Sequence, residues 1–107
     1  MNNKYSDKKI VWFQDKLNSF VYGNVTSPLY VRIKPTNKCM HRCKYCVYAD
    51  SSNMHNDISH GDEIETSKLI EVLNDISDIG VNVVTFSGGG EPLAHRDAAL
   101  ILDEAIK

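Results

Sequence analysis

The chain reads as an α/β protein: the first two βα units of a parallel sheet, preceded by an N-terminal helix. Three observations predict this. Helical and strand patterns alternate along the sequence in the order helix, strand, loop, helix, strand, glycine loop, helix. The two strands are separated by a helix long enough to cross over, which is the connection parallel strands require. The second strand is apolar almost throughout, as expected where helices cover both faces. Two strands leave sheet edges open, and a full eight-unit βα barrel takes about 250 residues. The 107-residue chain is therefore expected to be an incomplete part of a larger α/β domain. Residues 1–28 form its helical and extended leading segment, and residues 29–107 the βα portion.

Taken in order, Ile10, Phe13, Leu17 and Phe20 recur at helical spacing and predict an amphipathic helix over residues 8–20, with Trp12 and Phe13 expected to serve its packing. Ser27-Pro28 breaks the chain. Leu29–Lys34 alternates apolar and polar side chains and predicts a strand ending at Pro35. A cysteine-bearing loop follows, and residues 49–63 form a polar stretch without periodicity, read as a mobile loop. The next helix begins with Thr66 as N-cap and buries Leu69, Leu73 and Ile76, with Ile70, Val72 and Ile79 widening that face. Gly80 stands where a left-handed C-terminal residue belongs. Val81–Ser87 is the second strand, ended by Gly88-Gly89-Gly90, and Arg96–Lys107 is a final helix with Ala98, Leu102 and Ala105 on one side.

Composition narrows the function. Hydrophobic residues make up 42% and charged residues 24%, which is globular composition. The formal net charge of −2 gives no global attraction to nucleic acid or an anionic membrane, and Lys4, Lys8 and Lys9 are too few for a basic patch. No apolar run approaches the ~20 residues a membrane span needs, and the polar start lacks a secretory signal, so the expected compartment is the cytoplasm.

The chemistry is concentrated in two short segments. Cys39-Met-His-Arg-Cys43-Lys-Tyr-Cys46 places all 3 cysteines of the chain in one loop directly after a strand. In a reducing compartment such crowding points to metal before disulfide. Thiolates are the soft ligands of iron–sulfur clusters, and a four-iron cubane usually takes four of them. Three leave one iron open, as catalytic metal sites keep a free position. Zinc, with His41, His55 or His60 as a fourth ligand, and a disulfide with one odd thiol are the competing readings. The second segment, Phe86-Ser-Gly-Gly-Gly-Glu-Pro-Leu93, lies at the end of the second strand. Glycines permit a sharp turn and close backbone approach, and Glu91 adds an ionised acceptor. An ordinary strand-to-helix loop, with Pro92 at its turn and Glu91 in water, is the competing reading there.

Together the segments resemble the radical S-adenosylmethionine (SAM) superfamily. Ile33–Cys46, with Tyr45 as the aromatic residue before the last cysteine, resembles its cluster loop; Gly88, Gly89, Gly90 and Glu91 resemble its glycine-glycine-glutamate motif. The resemblance covers residues 29–107 and implies the start of a partial (βα)6 TIM-like barrel. It implies a 4Fe–4S cluster on Cys39, Cys43 and Cys46, with SAM bound by Glu91, by the turn at Gly88–Gly90 and beside Tyr45. It further implies reductive cleavage of SAM to a 5'-deoxyadenosyl radical that attacks a substrate left unidentified. An electron donor such as flavodoxin or ferredoxin, and the remaining barrel strands from later sequence or an oligomer partner, are the implied partners. Met40 and His41 depart from the Asn and apolar residue many relatives carry, while Arg42 matches a common basic choice. His41 reads as a solvated loop residue, His55 and His60 as surface, and His95 as local structure. The competing function is a truncated, non-catalytic fragment that retains a cluster or zinc as a binding module.

Overall fold

A computed structural model of the chain describes residues 9–48 and 61–107. The expected leading helix is split. Lys9–Trp12 forms a 3-10 turn and α1 spans Gln14–Val21, with Phe13 at the break offering no side-chain cap. Of the two aromatics expected to serve packing, Phe13 is half-buried and Trp12 is not buried. Trp12 is 54% and Phe20 74% exposed, and α1 buries no residue. An eight-residue helix is marginal alone, and α1 is held instead by polar contacts. Lys16 Nζ donates to Ser27 Oγ at 2.8 Å, to the Pro28 carbonyl at 3.1 Å and to the Gly80 carbonyl.

The sheet is a parallel pair, as the crossover pattern predicts. β1 (Tyr30–Ile33) and β2 (Val83–Phe86) run in register Tyr30–Val83, Val31–Val84, Arg32–Thr85 and Ile33–Phe86. Both are shorter than the sequence patterns from which they were expected. Alternation along β1 sends Val31 and Ile33 to one face with Val84 and Phe86, where α2 (Thr66–Asp78) and α3 (Ala98–Ala105) complete a core of Ile33, Leu69, Leu73 and Ile101. The opposite face carries Tyr30, Arg32, Val83 and Thr85, of which the first three are exposed. The expectation that β2 is covered on both faces therefore fails among the described residues, because α2 and α3 both lie on one side of the pair.

α2 ends as its sequence predicts. Gly80 adopts φ +82°, its amide donates to the Ser77 carbonyl at 2.9 Å, and Val81 donates to Ile76 at 2.9 Å, a Schellman closure that favours glycine at the left-handed position. The start of α2 differs from expectation. The N-cap is Glu65, not Thr66; the Thr66 hydroxyl is spent on the Asp97 carboxylate, which ties the first turn of α2 to the residue preceding α3. Ile79 is the C-cap and is 59% exposed, so it does not widen the buried face. In α3 the buried residue is Ile101 at 2% exposure rather than Leu102 at 40%, because Ile101 is the side chain that packs with Ile33, Leu69 and Leu73, while Ala105 packs beside it.

Most of the polar stretch, residues 49–60, lies outside the described residues, with His55 and His60 in it. Its last residues are not loose loop. Thr36 and Glu63 form an antiparallel bridge, with Asn37 N–H donating to the Asp62 carbonyl at 2.8 Å and Ile64 N–H to Pro35 at 2.9 Å. This pairing fixes the start of the cysteine loop against the chain that leads into α2.

Candidate functional site: the cysteine loop and the glycine-glutamate loop

β1 and β2 run in the same direction, so both deliver their following loops to one end of the sheet, the end where βα proteins place ligand sites. Two backbone hydrogen bonds join these loops. Gly90 N–H donates to the Thr36 carbonyl at 3.2 Å and Glu91 N–H to the Lys38 carbonyl at 2.8 Å. The approach demands glycine for lack of space. A Cβ at Gly90 would lie 2.2 Å from the Lys38 carbonyl oxygen and 2.5 Å from the Asn37 carbonyl carbon. At Gly88 it would meet the Gly90 carbonyl oxygen at 2.3 Å. The close approach expected of these glycines is thus made, in part, to the chain's own cysteine loop. Gly89 is half-buried between them.

Glu91 is half-buried and faces this junction. Its Oε1 accepts from Leu93 N–H at 3.1 Å, capping the 3-10 turn Pro92–Ala94, and its Oε2 lies 3.8 Å from His41 Nε2. Glu91 is therefore not simply in water, and His41 of the cysteine loop is turned toward it. Among the described residues one hydrogen bond to the carboxylate is made, from Leu93 N–H to Oε1.

The three cysteines are all free of disulfides; Cys39 and Cys43 are exposed and Cys46 is half-buried. Cys39 Sγ accepts from His41 N–H at 3.4 Å, and Cys46 N–H donates to the Cys43 carbonyl at 3.0 Å, a turn that carries the last two thiols. Among the described residues no three His, Cys, Asp or Glu side chains converge on a point where a metal could sit, so the thiols share a loop without being gathered. The donor set nevertheless fits an iron–sulfur cluster in its chemistry: three free, accessible thiols on one short loop beside an acidic side chain. Tyr45 is 88% exposed. A cleft of about 550 Å³ opens beside the glutamate loop, lined by Phe86, Ser87, Gly88, Gly90, Glu91 and Leu93 among others, within the usual size of small-ligand sites.

Behind the two loops lies a cluster that sequence reasoning did not find. Glu63, 3% exposed at its side chain, accepts from Arg96 Nε at 2.7 Å and from Lys38 Nζ at 3.1 Å on Oε1, and from the Arg96 amide at 3.2 Å on Oε2. Burial pushes its carboxyl up, but the hydrogen bonds from Arg96 and Lys38 outweigh burial and hold it at about 2. Arg96 is shifted the other way, upward, chiefly by its hydrogen bond to Glu63. His95, 4% exposed, accepts from Asp97 N–H on Nδ1 at 3.1 Å and reaches the Ile64 carbonyl with Nε2 at 2.8 Å. The tautomer protonated at Nε2 satisfies both partners. His95 is local structure, as expected. A glutamate within a polar stretch has no spacing signal, and only the folded chain shows that Lys38 and Arg96 converge on it.

A parallel βα unit whose two strand ends bring a C-x3-C-x2-C loop against a glycine-glutamate loop defines a class of cofactor-using α/β proteins. The model of the Radical SAM superfamily matches residues 33–107, and the chain belongs to that superfamily. Members of this superfamily generally use a 4Fe–4S cluster and SAM. Among similar curated proteins, GTP 3',8-cyclase of Clostridium perfringens (strain SM101) is 40% identical over 68 residues, covering 63% of this chain and 20% of the relative. GTP 3',8-cyclase of Chlorobaculum tepidum is 42% identical over 66 residues, covering 62% and 18%. PqqA peptide cyclase of Bradyrhizobium diazoefficiens is 37% identical over 78 residues, covering 73% and 19%. The matched region thus spans about a fifth of the length of these relatives. No solved structure matches the chain significantly. Among the described residues no helix is long and apolar enough to cross a membrane.

Proposed function

We propose that this chain provides the cofactor-holding start of a radical SAM enzyme. Cys39, Cys43 and Cys46 would hold a 4Fe–4S cluster, and Glu91 would accept the amino group of SAM. Bound together, cluster and SAM supply a 5'-deoxyadenosyl radical on one-electron reduction by a donor such as flavodoxin or ferredoxin. The observation that carries this reading is the 2.8 Å hydrogen bond from Glu91 N–H to the Lys38 carbonyl, which sets the carboxylate's own backbone against the residue preceding Cys39.

The chain's residues have distinct tasks in this reading. Gly88 and Gly90 let the glutamate loop close on the cysteine loop; Leu93 N–H orients one oxygen of Glu91 and leaves the other for a cationic donor. Gly89 shapes the same turn, and Tyr45 flanks the bound cofactor from the cysteine loop. The barrel reading belongs here also. The uncovered face with Tyr30, Arg32, Val83 and Thr85 is the one that would line the inside of a βα barrel, completed by further strands from the same or another polypeptide. Because the aligned segment is shared by relatives named for a nucleotide cyclase and for a peptide cyclase, it supports a common initiating step and leaves the substrate to other parts of the protein. A cytoplasmic setting suits the free thiols.

Anaerobic reconstitution tests the proposal. Iron and sulfide at about four each per chain, with an EPR signal of the reduced cluster perturbed by SAM, support it; purified protein that takes up zinc alone overturns it. A second reading is that the chain holds the cluster as a non-catalytic binding module. Cluster uptake with no SAM-dependent change in the EPR signal would favour that reading.

A further inference from the structure

Four segments close into a ring behind the two loops. Glu91 N–H bonds the Lys38 carbonyl; Ala94 N–H bonds the Glu91 carbonyl at 2.8 Å in the short turn that follows; Arg96 reaches Glu63 through both its side chain and its amide; and Glu63 returns to Lys38 through the 3.1 Å ion pair. Within this ring Glu63 is the carboxylate that joins Lys38 to Arg96, and Arg96 also donates from Nη2 to Glu65 Oε1 at 3.4 Å on the exposed side. The Glu63 side chain is 3% exposed, whereas those of Lys38 and Arg96 are 44% and 54% exposed, so two solvated cations converge on one enclosed acceptor. Enclosure matters because exposed ion pairs are screened and contribute little, while an enclosed carboxylate with charge-assisted partners is costly to leave unmatched.

Its neighbours add to the constraint. The Glu63 backbone lies in the bridge with Thr36, and the next residue's carbonyl, that of Ile64, meets His95 Nε2 at 2.8 Å. Glu63 therefore cannot follow Lys38 if Lys38 moves, nor Arg96 if Arg96 moves. Lys38 directly precedes Cys39, and Arg96 lies just past the turn that Glu91 caps.

We propose that Glu63 is a positioning residue: by holding Lys38 and Arg96 at once, it fixes the cysteine loop and the Glu91 loop in a single mutual placement. As a statement about cofactor binding this rests on the function proposed above; as a statement about the two loops it stands without it. Among the described residues the Glu63 carboxylate is paired with Lys38 and Arg96, and its effect on the cysteine loop and on Glu91 is transmitted through them.

Amide hydrogen exchange of the 107-residue chain separates the two levels. In Glu63→Gln, protection of the Gly90 and Glu91 amides is expected to fall by about tenfold or more, while amides in the middle of α2 keep their parent rates. Lys38→Met, which leaves the Arg96–Glu63 contacts in place, is a second variant in case the first folds poorly and is expected to act on the same two amides. Glu63→Asp, which keeps the charge, is expected to restore part of the protection. Parent-like exchange at Gly90 and Glu91 in both Glu63→Gln and Lys38→Met overturns the proposal. On reconstituted protein, Glu63→Gln is expected to retain the parent's iron content while its apparent Kd for SAM, read from the EPR change, rises by about tenfold. An unchanged Kd overturns the positioning role toward the cofactor. If the parent takes up no iron, it is the cofactor reading that fails, and the exchange result alone decides the role of Glu63.

Discussion

The amide of Glu91 and the carbonyl of Lys38 are hydrogen-bonded at 2.8 Å, so residues from opposite ends of the described βα unit are joined by backbone rather than by adjustable side chains. Backbone contacts of this kind transmit displacement directly. Whatever moves the cysteine loop at its start moves the carboxylate loop with it.

Gly90→Ala tests that coupling sterically. The added Cβ would stand 2.2 Å from the Lys38 carbonyl oxygen, a backbone atom with no rotamer to escape through. Overpacking of this sort costs about 1–3 kcal/mol or more. A fall in unfolding free energy of that size, read from urea titration, is expected, together with loss of the Glu91–Lys38 hydrogen bond, seen as faster exchange at the Glu91 amide. Gly88→Ala is expected to act in the same direction, through the 2.3 Å approach to the Gly90 carbonyl.

The core sets a second expectation. Leu69 is 1% exposed and sits with Leu73, Ile101 and Ile33 in the small buried core of the described residues. Leu69→Ala removes about 2–5 kcal/mol by lost burial and cavity formation. A small domain has only a few kcal/mol in reserve, so this variant is expected to be largely unfolded at 25 °C by circular dichroism.

Glu63 gives the chain a pH signature. Its folded carboxyl is held at about 2 against an ordinary 4.5, so its contribution to stability is complete above pH 4.5 and is lost as the pH falls toward 2. The stability difference between parent and Glu63→Gln is expected to be constant near neutrality and to shrink steadily between about pH 4.5 and 2. Urea titrations across that range measure it. A difference that does not change with pH would show that Lys38 and Arg96 do not hold the carboxylate ionised.

The parts of this fold that were legible in the sequence are those where local chemistry and tertiary contacts agree. The αL glycine Gly80, the crossover between two β-branched runs and the glycine turn after β2 each have a local cause, and each appears as expected. The leading helix formed in two pieces and without a buried face, because its apolar spacing needs a partner surface that the described residues do not supply, leaving Phe20 74% exposed. Thr66 was misassigned because a hydroxyl suited to capping found the Asp97 carboxylate instead, a partner no local pattern reveals. The same is true of the site. Cys39, Cys43, Cys46 and Glu91 were visible as spaced chemical types, whereas Glu63 became visible only when Lys38 and Arg96 were brought to it.

The cysteines and Glu91 are expected to separate on mutation. Cys43→Ala removes one of three thiolates from the set, and a cluster left with two protein ligands is expected to be lost, with iron falling well below about four per chain. Glu91→Gln removes no thiol. Its amide oxygen can still accept from Leu93 N–H, so the Pro92–Ala94 turn should persist. The variant does lose the negative charge that faces His41 at 3.8 Å and that would meet an ammonium group. Hydrogen bonds to a charged acceptor contribute about 1.5–3 kcal/mol, which corresponds to roughly tenfold to a hundredfold in affinity. The expected outcome is parent-like iron and sulfide with SAM affinity weakened by that factor, read from the concentration of SAM that half-saturates the EPR change. Unweakened SAM binding in Glu91→Gln would show that the amino group is held elsewhere. Loss of iron in the same variant would show that the carboxylate supports the loop rather than the ligand.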